Sequence, residues 1–332
     1  MASSQQTPVG RHLFVGFPEA QLTRQTRRLL DTIQPGGVVL FARNIENVTD
    51  LHALGQALRS ELDYRPLIAI DQEQGRVNRL RNVVGEMPSI AELKKSGKIE
   101  RVRDFGRTTG RSLREFGIHV DFAPVLDLEL FDKSTDNALH ERCWGKTAED
   151  VVRWAGAFLE GLEGEGIIAC PKHFPGLGGA TLDSHEKLPT ITRSREQLLT
   201  EDIVPYSRLK DQLDMIMVGH GHYPSFDGEK PRPASLSRTI ITNLLRQQLR
   251  FTGLVLTDDM DMGAISQFGS IERAVIEAFN AGADIMLVCH SAEKMLAAHE
   301  ALTKAVESGQ VTREHLASSQ ERIRQFREKR GL

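Results

Sequence analysis

Eight short apolar runs, each followed by a stretch of helical period, restrict this chain more than any other feature. The runs are HLFVGF (12–17), GGVVLFA (36–42), PLIAID (66–71), HVDFAPVLDL (119–128), IIACPKHF (167–174), MIMVGHGHY (215–223), GLVLTDDM (253–260) and DIMLVCH (284–290). They are brief, rich in β-branched residues and almost continuously apolar. Half-exposed antiparallel strands alternate in polarity, whereas strands buried on both faces of a parallel sheet do not. Between them lie helix-like stretches with caps. TDLHALGQALRSELD (49–63) offers Thr49 or Asp50 as N-cap. TAEDVVRWAGAFLEGLEGEG (147–166) and SIERAVIEAFNAG (270–282) both end in glycine. Two further helical stretches close the sequence. Eight strands alternating with helices over 332 residues predict one α/β domain, residues 1–332, folded as a single (β/α)8 TIM-type barrel. An open doubly wound sheet is the alternative, but no G-x-G-x-x-G follows the first strand to support a dinucleotide fold.

Strand C-termini of such a barrel surround one mouth, and chemistry gathers there. The polar residues after the runs are therefore informative: Arg43 and Asn44; Asp71, Gln72 and Glu73; Asp127; Lys172 and His173; His220 and His222; Asp258 and Asp259; His290. So many chargeable groups at one end of apolar strands predict an active site. Taken singly, His290 reads as a capped structural histidine and Asp127 as a loop cap.

The stretch KHFPGLGGATLDSH (172–185) begins at the end of the fifth run and continues beyond it. Its glycines allow unusual backbone angles. Near its end, Asp183 and His185 are separated by one residue, Ser184. A carboxylate beside an imidazole fixes the tautomer and favours the charged form, so such a pair can give a proton and later take one back. In TDDM, adjacent strand residues point to opposite faces, so one of Asp258 and Asp259 should face a substrate while the other supports it. One inward carboxylate and a His/Asp pair fit double displacement at a sugar carbon, with histidine standing where glycosidases ordinarily use a second carboxylate.

These residues resemble glycoside hydrolase family 3, in particular its single-barrel bacterial β-N-acetylglucosaminidases of peptidoglycan recycling. AIDQEQGRVNRL (69–80), KHFPG with a downstream DSH, HVDFAPVLDL and LTDDMDMGAI carry the resemblance, in order and across nearly the whole chain. It implies a retaining mechanism with Asp258 as nucleophile, His185 as acid/base and Asp183 as its dyad partner. Asp71, Arg79, Arg142, Lys172 and His173 fall on positions that hold the sugar. The implied substrate is a terminal β-linked N-acetylglucosamine on a muropeptide or a 1,6-anhydro sugar fragment, with no cofactor and no metal. Two departures stand out. Leu177 occupies the place of a usual histidine in G-H-G, and Gln74 the place of a usual glycine.

Composition narrows the remaining classes. A net charge of −3 makes no case for nucleic acid or an anionic membrane as partner. Three dispersed cysteines fit neither a disulfide framework nor a zinc ribbon. No signal peptide or membrane-length apolar run is visible, so a cytoplasmic location is expected. Rival functions are a metal-dependent hydrolase built on His220-Gly-His222, a phosphorylase, a plain β-glucosidase and a sugar-binding protein without turnover.

Overall fold

The computed structural model describes residues 9–130, 138–180 and 187–332. All eight runs become parallel strands: β1 (Leu13–Val15), β2 (Gly37–Leu40), β3 (Leu67–Ile70), β4 (Val120–Asp121), β5 (Ile168–Ala169), β6 (Met215–Val218), β7 (Leu254–Asp259) and β8 (Ile285–Val288). The order in the sheet is β5-β4-β3-β2-β1-β8-β7-β6. The remaining gap, between β5 and β6, is spanned by a parallel bridge from Phe174 to Val218 and by the Phe174 N–H donating to the Met217 carbonyl at 2.9 Å. The sheet is thus a nearly closed barrel, and the doubly wound alternative falls away.

Helices follow the strands in turn: α1 (Arg24–Ile33), α2 (Val48–Ser60), α3 (Ile99–Glu115), α4 (Ala148–Glu163), α5 (Val204–Leu209), the wide π-type helix α6 (Thr239–Gln248), α7 (Ile271–Ala281) and α8 (Ala292–Glu307). A further long helix, α9 (Arg313–Arg330), comes last, and short helical turns such as Ile90–Lys94 lie in the connections. The cap of α2 is Asn47 rather than Thr49 or Asp50: its side chain accepts the Asp50 N–H at 3.0 Å, so the helix begins earlier than its apolar period indicates. Thr147 and Ser270 cap α4 and α7, and Gly282 ends α7 in the left-handed conformation at φ 113°. No described helix is long and apolar enough to cross a membrane. The three cysteines are free and buried.

The apolar residues divide into two cores, and the division explains the absence of alternation in the sequence. One face of each strand packs outward on the helices: Leu13 and Val15, Val38 and Leu40, Ile68 and Ile70, Ile216 and Val218 belong to that layer. The other face fills the barrel interior with Phe14, Val39, Leu67, Ala69, Val120, Phe122, Ile168, Cys170, Met215, Met217, Leu254, Leu256, Ile285 and Leu287. Both faces are dry, so both parities are apolar. Ile323 and Phe326 of α9 join the interior cluster and line a small hollow beside Phe14, Leu67, Leu254 and Ile285, which places α9 under the floor of the barrel.

Candidate active site

The interior parity fixes what reaches the mouth. Counting upward in twos, Leu67 and Ala69 lead to Asp71, Ile168 and Cys170 lead to Lys172, and Leu254 and Leu256 lead to Asp258. Three of the predicted residues are therefore the next inward layer of the barrel, polar where the layers below are apolar. The structure brings them together. Lys172 Nζ lies 2.5 Å from Asp71 Oδ1 and 2.8 Å from Glu73 Oε1. Arg79 stands 3.7 Å from the other oxygen of Asp71. The Lys172–His173 peptide is cis, and the two side chains meet this layer at Asp71 and Asp258 respectively. His173 Nε2 lies 3.9 Å from Asp258 Oδ2.

A cleft enclosing about 470 Å³, its open mouth included, lies above this layer. Asp71, Arg79, Asp258, Asp259, Phe41 and His290 are among its lining residues. Larger hollows exist beside Asp214 at the floor and between α7 and α8, but neither gathers convergent catalytic groups. They lie away from the strand C-termini, so the smaller cleft is the candidate site.

Arg142 is placed differently from the other predicted sugar contacts. Its guanidinium grips Glu73 with two bonds, 2.9 and 2.7 Å, and both groups are buried. Burial alone would raise the Glu73 carboxyl, but Arg142 and Lys172 outweigh it and hold the group far below the usual carboxylate range. Burial likewise opposes the charge of Lys172, while Asp71 and Glu73 outweigh burial and hold its ammonium protonated. Glu73 is thus the hub on which Arg142 and Lys172 are set. The sequence shows it in AIDQEQGRVNRL but gives no sign that it, rather than a neighbour, turns inward.

Asp127 also does more than cap a loop. It is fully buried. Its Oδ2 accepts from His173 Nδ1 at 2.6 Å and from the His173 N–H at 3.2 Å, and its Oδ1 accepts from the Leu177 N–H at 2.7 Å. The carboxylate takes the proton-bearing Nδ1, so Nε2 is the nitrogen turned to Asp258. Leu177, in place of the usual histidine, is buried, and its methyls pack on Gly219 and Gly221, where added Cβ atoms would stand 3.1 and 2.9 Å away.

Strand alternation is interrupted at the end of β7. The register against β8 shifts between Leu256 and Asp259, and both Asp258 and Asp259 line the cleft. Asp258 faces His173, whereas Asp259 turns to His290, 3.1 Å away. His290 is accordingly part of the cleft wall and not a remote structural histidine.

His220 and His222 are bound to protein groups. His220 Nε2 donates to the Asp259 carbonyl at 3.0 Å, and Nδ1 accepts from the Ser235 hydroxyl at 2.7 Å. Burial lowers its pKa, in keeping with a neutral ring. His222 Nδ1 accepts the Arg232 N–H at 3.3 Å. Among the described residues no group of three candidate ligands is placed to hold a metal ion. Asp183 and His185 lie outside the described residues.

The family profile described as "Glycosyl hydrolase family 3 N terminal domain" matches residues 11–326. The chain belongs to glycosyl hydrolase family 3. It is a glycoside hydrolase, as the resemblance of its motifs implies. A β-hexosaminidase of Pseudomonas aeruginosa is 36% identical over 287 residues, covering 85% of this chain and 84% of that protein. The family 3 β-N-acetylglucosaminidase of a Paenibacillus species superposes with a TM-score of 0.93 at 33% identity. That likeness covers 99% of this chain, which spans 63% of the Paenibacillus protein. NagZ from Neisseria gonorrhoeae, solved in complex with N-trifluoroacetyl-D-glucosamine, matches at TM-score 0.75 and 28% identity, over 94% of this chain and 97% of that one.

Proposed function

We propose that this family 3 enzyme is a retaining exo-β-N-acetylglucosaminidase acting on peptidoglycan fragments, with Asp258 as nucleophile. The observation that carries the reading is the placement of Asp258 on the inward face of β7, across one cleft from Asp71 and Arg79 and beside His173. Asp71 accepts from sugar hydroxyls and Lys172 and Arg79 supply donors for hydroxyl and acetamido oxygens, while Arg142 acts through Glu73, to which it is bound. An Asp258 oxygen attacks the anomeric carbon as the bond to the leaving oxygen breaks. That oxygen takes a proton from His185, with Asp183 as its proposed dyad partner. In the second step His185 accepts a proton from water, which attacks the same carbon and frees Asp258. Net retention follows from two inversions. The named activity of the Paenibacillus relative, the hexosaminidase name of the Pseudomonas one and the N-trifluoroacetyl-D-glucosamine bound to the Neisseria protein support N-acetylglucosamine as the transferred sugar. Muropeptides and 1,6-anhydro fragments are the proposed natural substrates, and the cytoplasm the proposed location.

The test is nitrophenol release from 4-nitrophenyl N-acetyl-β-glucosaminide with chelator present and phosphate absent. Asp258→Ala is expected to lose at least about 10³-fold in kcat, as removal of a covalent nucleophile does, with its Tm kept. Near-wild-type turnover by that variant refutes the assignment. A rate that appears only with phosphate, yielding sugar 1-phosphate, replaces hydrolysis by phosphorolysis.

A further inference from the structure

The end of β7 is held by a side chain to which the reaction gives no part. His290 follows β8 and is about half exposed at the cleft mouth, with its Nε2 3.1 Å from Asp259 Oδ2. The other oxygen of Asp259 accepts the Asp261 N–H at 3.0 Å and the Cys289 N–H at 3.3 Å. The backbone N–H of Asp259 donates to Asp258 Oδ1 at 2.8 Å. This chain of contacts lies where the β7–β8 register shifts. The Asp259 carboxylate therefore ties the irregular end of β7 to the end of β8, and the peptide so fixed aims its N–H at Asp258.

The surroundings of His290 are mixed in charge. Asp259 and Asp261 face it from the end of β7, and its own N–H donates to Asp261 Oδ2 at 2.8 Å. Lys294, in the first turn of α8, pairs with Asp261 at 2.8 Å. From the turn after β2, Arg43 Nη1 approaches Nδ1 at 3.4 Å. The Phe41 ring lies 5.1 Å from the imidazole, and Arg79 approaches that ring from the turn after β3. Asp258 itself meets His173, with Asp71 lining the same cleft. Two adjacent carboxylates on one strand end repel, and a nucleophile beside a second carboxylate is harder to ionise unless a cation offsets the neighbour.

We propose that His290 is a positioning residue for Asp258: acting through Asp259, it holds the β7 irregularity in place and offsets the carboxylate charge next to the nucleophile. The proposal rests on the reading of Asp258 as nucleophile. The bond to Asp259 raises the His290 pKa against the opposing effect of burial. A raised imidazole pKa means the charge is present at acidic pH and is lost as pH rises through the folded-state value. The offset is therefore in force where Asp258 must ionise, on the acidic limb of the rate profile.

The experiment is the pH profile of kcat/KM for His290→Gln and His290→Ala on the nitrophenyl substrate. Both variants lose the cation, so the acidic limb should move up by about half a pH unit to one unit, the size of one screened like-charge interaction at this range. Glutamine keeps a donor for Asp259, so its plateau should exceed that of alanine. In parallel, each protein is treated with a fluorinated N-acetylglucosaminyl fluoride and the labelled peptide is mapped. An unmoved limb in both variants, with Asp258 labelled, overturns the role of His290 and leaves the nucleophile standing. A label on any residue other than Asp258 overturns the underlying reading, and this proposal with it. If His290→Ala does not fold, the glutamine variant still decides the limb.

Discussion

Glu73→Gln tests the electrostatic frame of the site. In the native chain the carboxylate is fully buried and accepts from Arg142 twice and from Lys172 at 2.8 Å. Glutamine keeps the shape and one acceptor but removes the charge that compensates two buried cations, of which Lys172 alone retains another carboxylate, Asp71. Removing one partner from a buried ion pair costs about 3 to 5 kcal/mol, and the remaining acceptor places this variant near the lower bound. A chain of this length unfolds with an entropy of about 0.7 kcal/mol per kelvin, so 3 kcal/mol lowers Tm by about 4 °C. The pH dependence has a definite sign. The folded-state pKa of Glu73 is depressed, so its stabilisation is present above the unfolded-state value of a glutamate. It is lost as pH falls from there through the folded-state value. The wild-type advantage in Tm, followed by circular dichroism, should therefore be full at pH 7 and shrink progressively below about pH 4.3. Lys172 loses one of its two anchors, so kcat/KM should also drop by about tenfold or more through misplacement. A variant with unchanged Tm at pH 7, or a gap that widens in acid, would refute the reasoning.

Two further outcomes follow from the same geometry. Asp127→Asn should reduce kcat by about 10²-fold with little change in KM: its amide cannot accept from His173 Nδ1, the His173 N–H and the Leu177 N–H together, and the ring turned to Asp258 loses its aim. Steady-state kinetics reads this, and a loss confined to KM would contradict it. Phe326→Ala at the barrel floor should cost about 3 to 5 kcal/mol and lower Tm while kcat/KM on the folded fraction holds, since the floor supports stability and the mouth supports chemistry.

The fold was legible because its strands are buried on both faces. Continuous apolar runs such as GVVL and MIMV have one reading in a chain that alternates them with helices, and all eight became strands. The pleat then carried the argument to individual atoms: the two-residue step from Leu256 to Asp258, and from Cys170 to Lys172, leads from the interior layer into the mouth. What escaped were relations set by irregular backbone. Nothing in DQEQ tells which side chain turns beneath the mouth; the turn after β3 gives Glu73 that place. Asp127 and His173 are 46 residues apart, and their 2.6 Å bond exists because β4 and β5 run side by side. His290 was read in isolation as structural, since its meaning depends on a register shift in β7 that alternation cannot foresee. The Asn47 cap illustrates a smaller version of this, with a side chain capturing an N–H before the apolar period starts.

The pairing of β1 with β8 has a consequence for how the molecule comes into being. Leu13 meets Met286 and Val15 meets Val288, contacts about 270 residues apart in sequence and therefore among the slowest to form. At ribosomal rates, roughly 15 to 55 s separate the emergence of the two strands. During that interval β1 has one neighbour, and its other edge has open backbone groups. The cleft takes lining residues from β2 and β3 at one end of the sequence and from β7 and β8 at the other, so its wall is complete only once β8 has paired with β1.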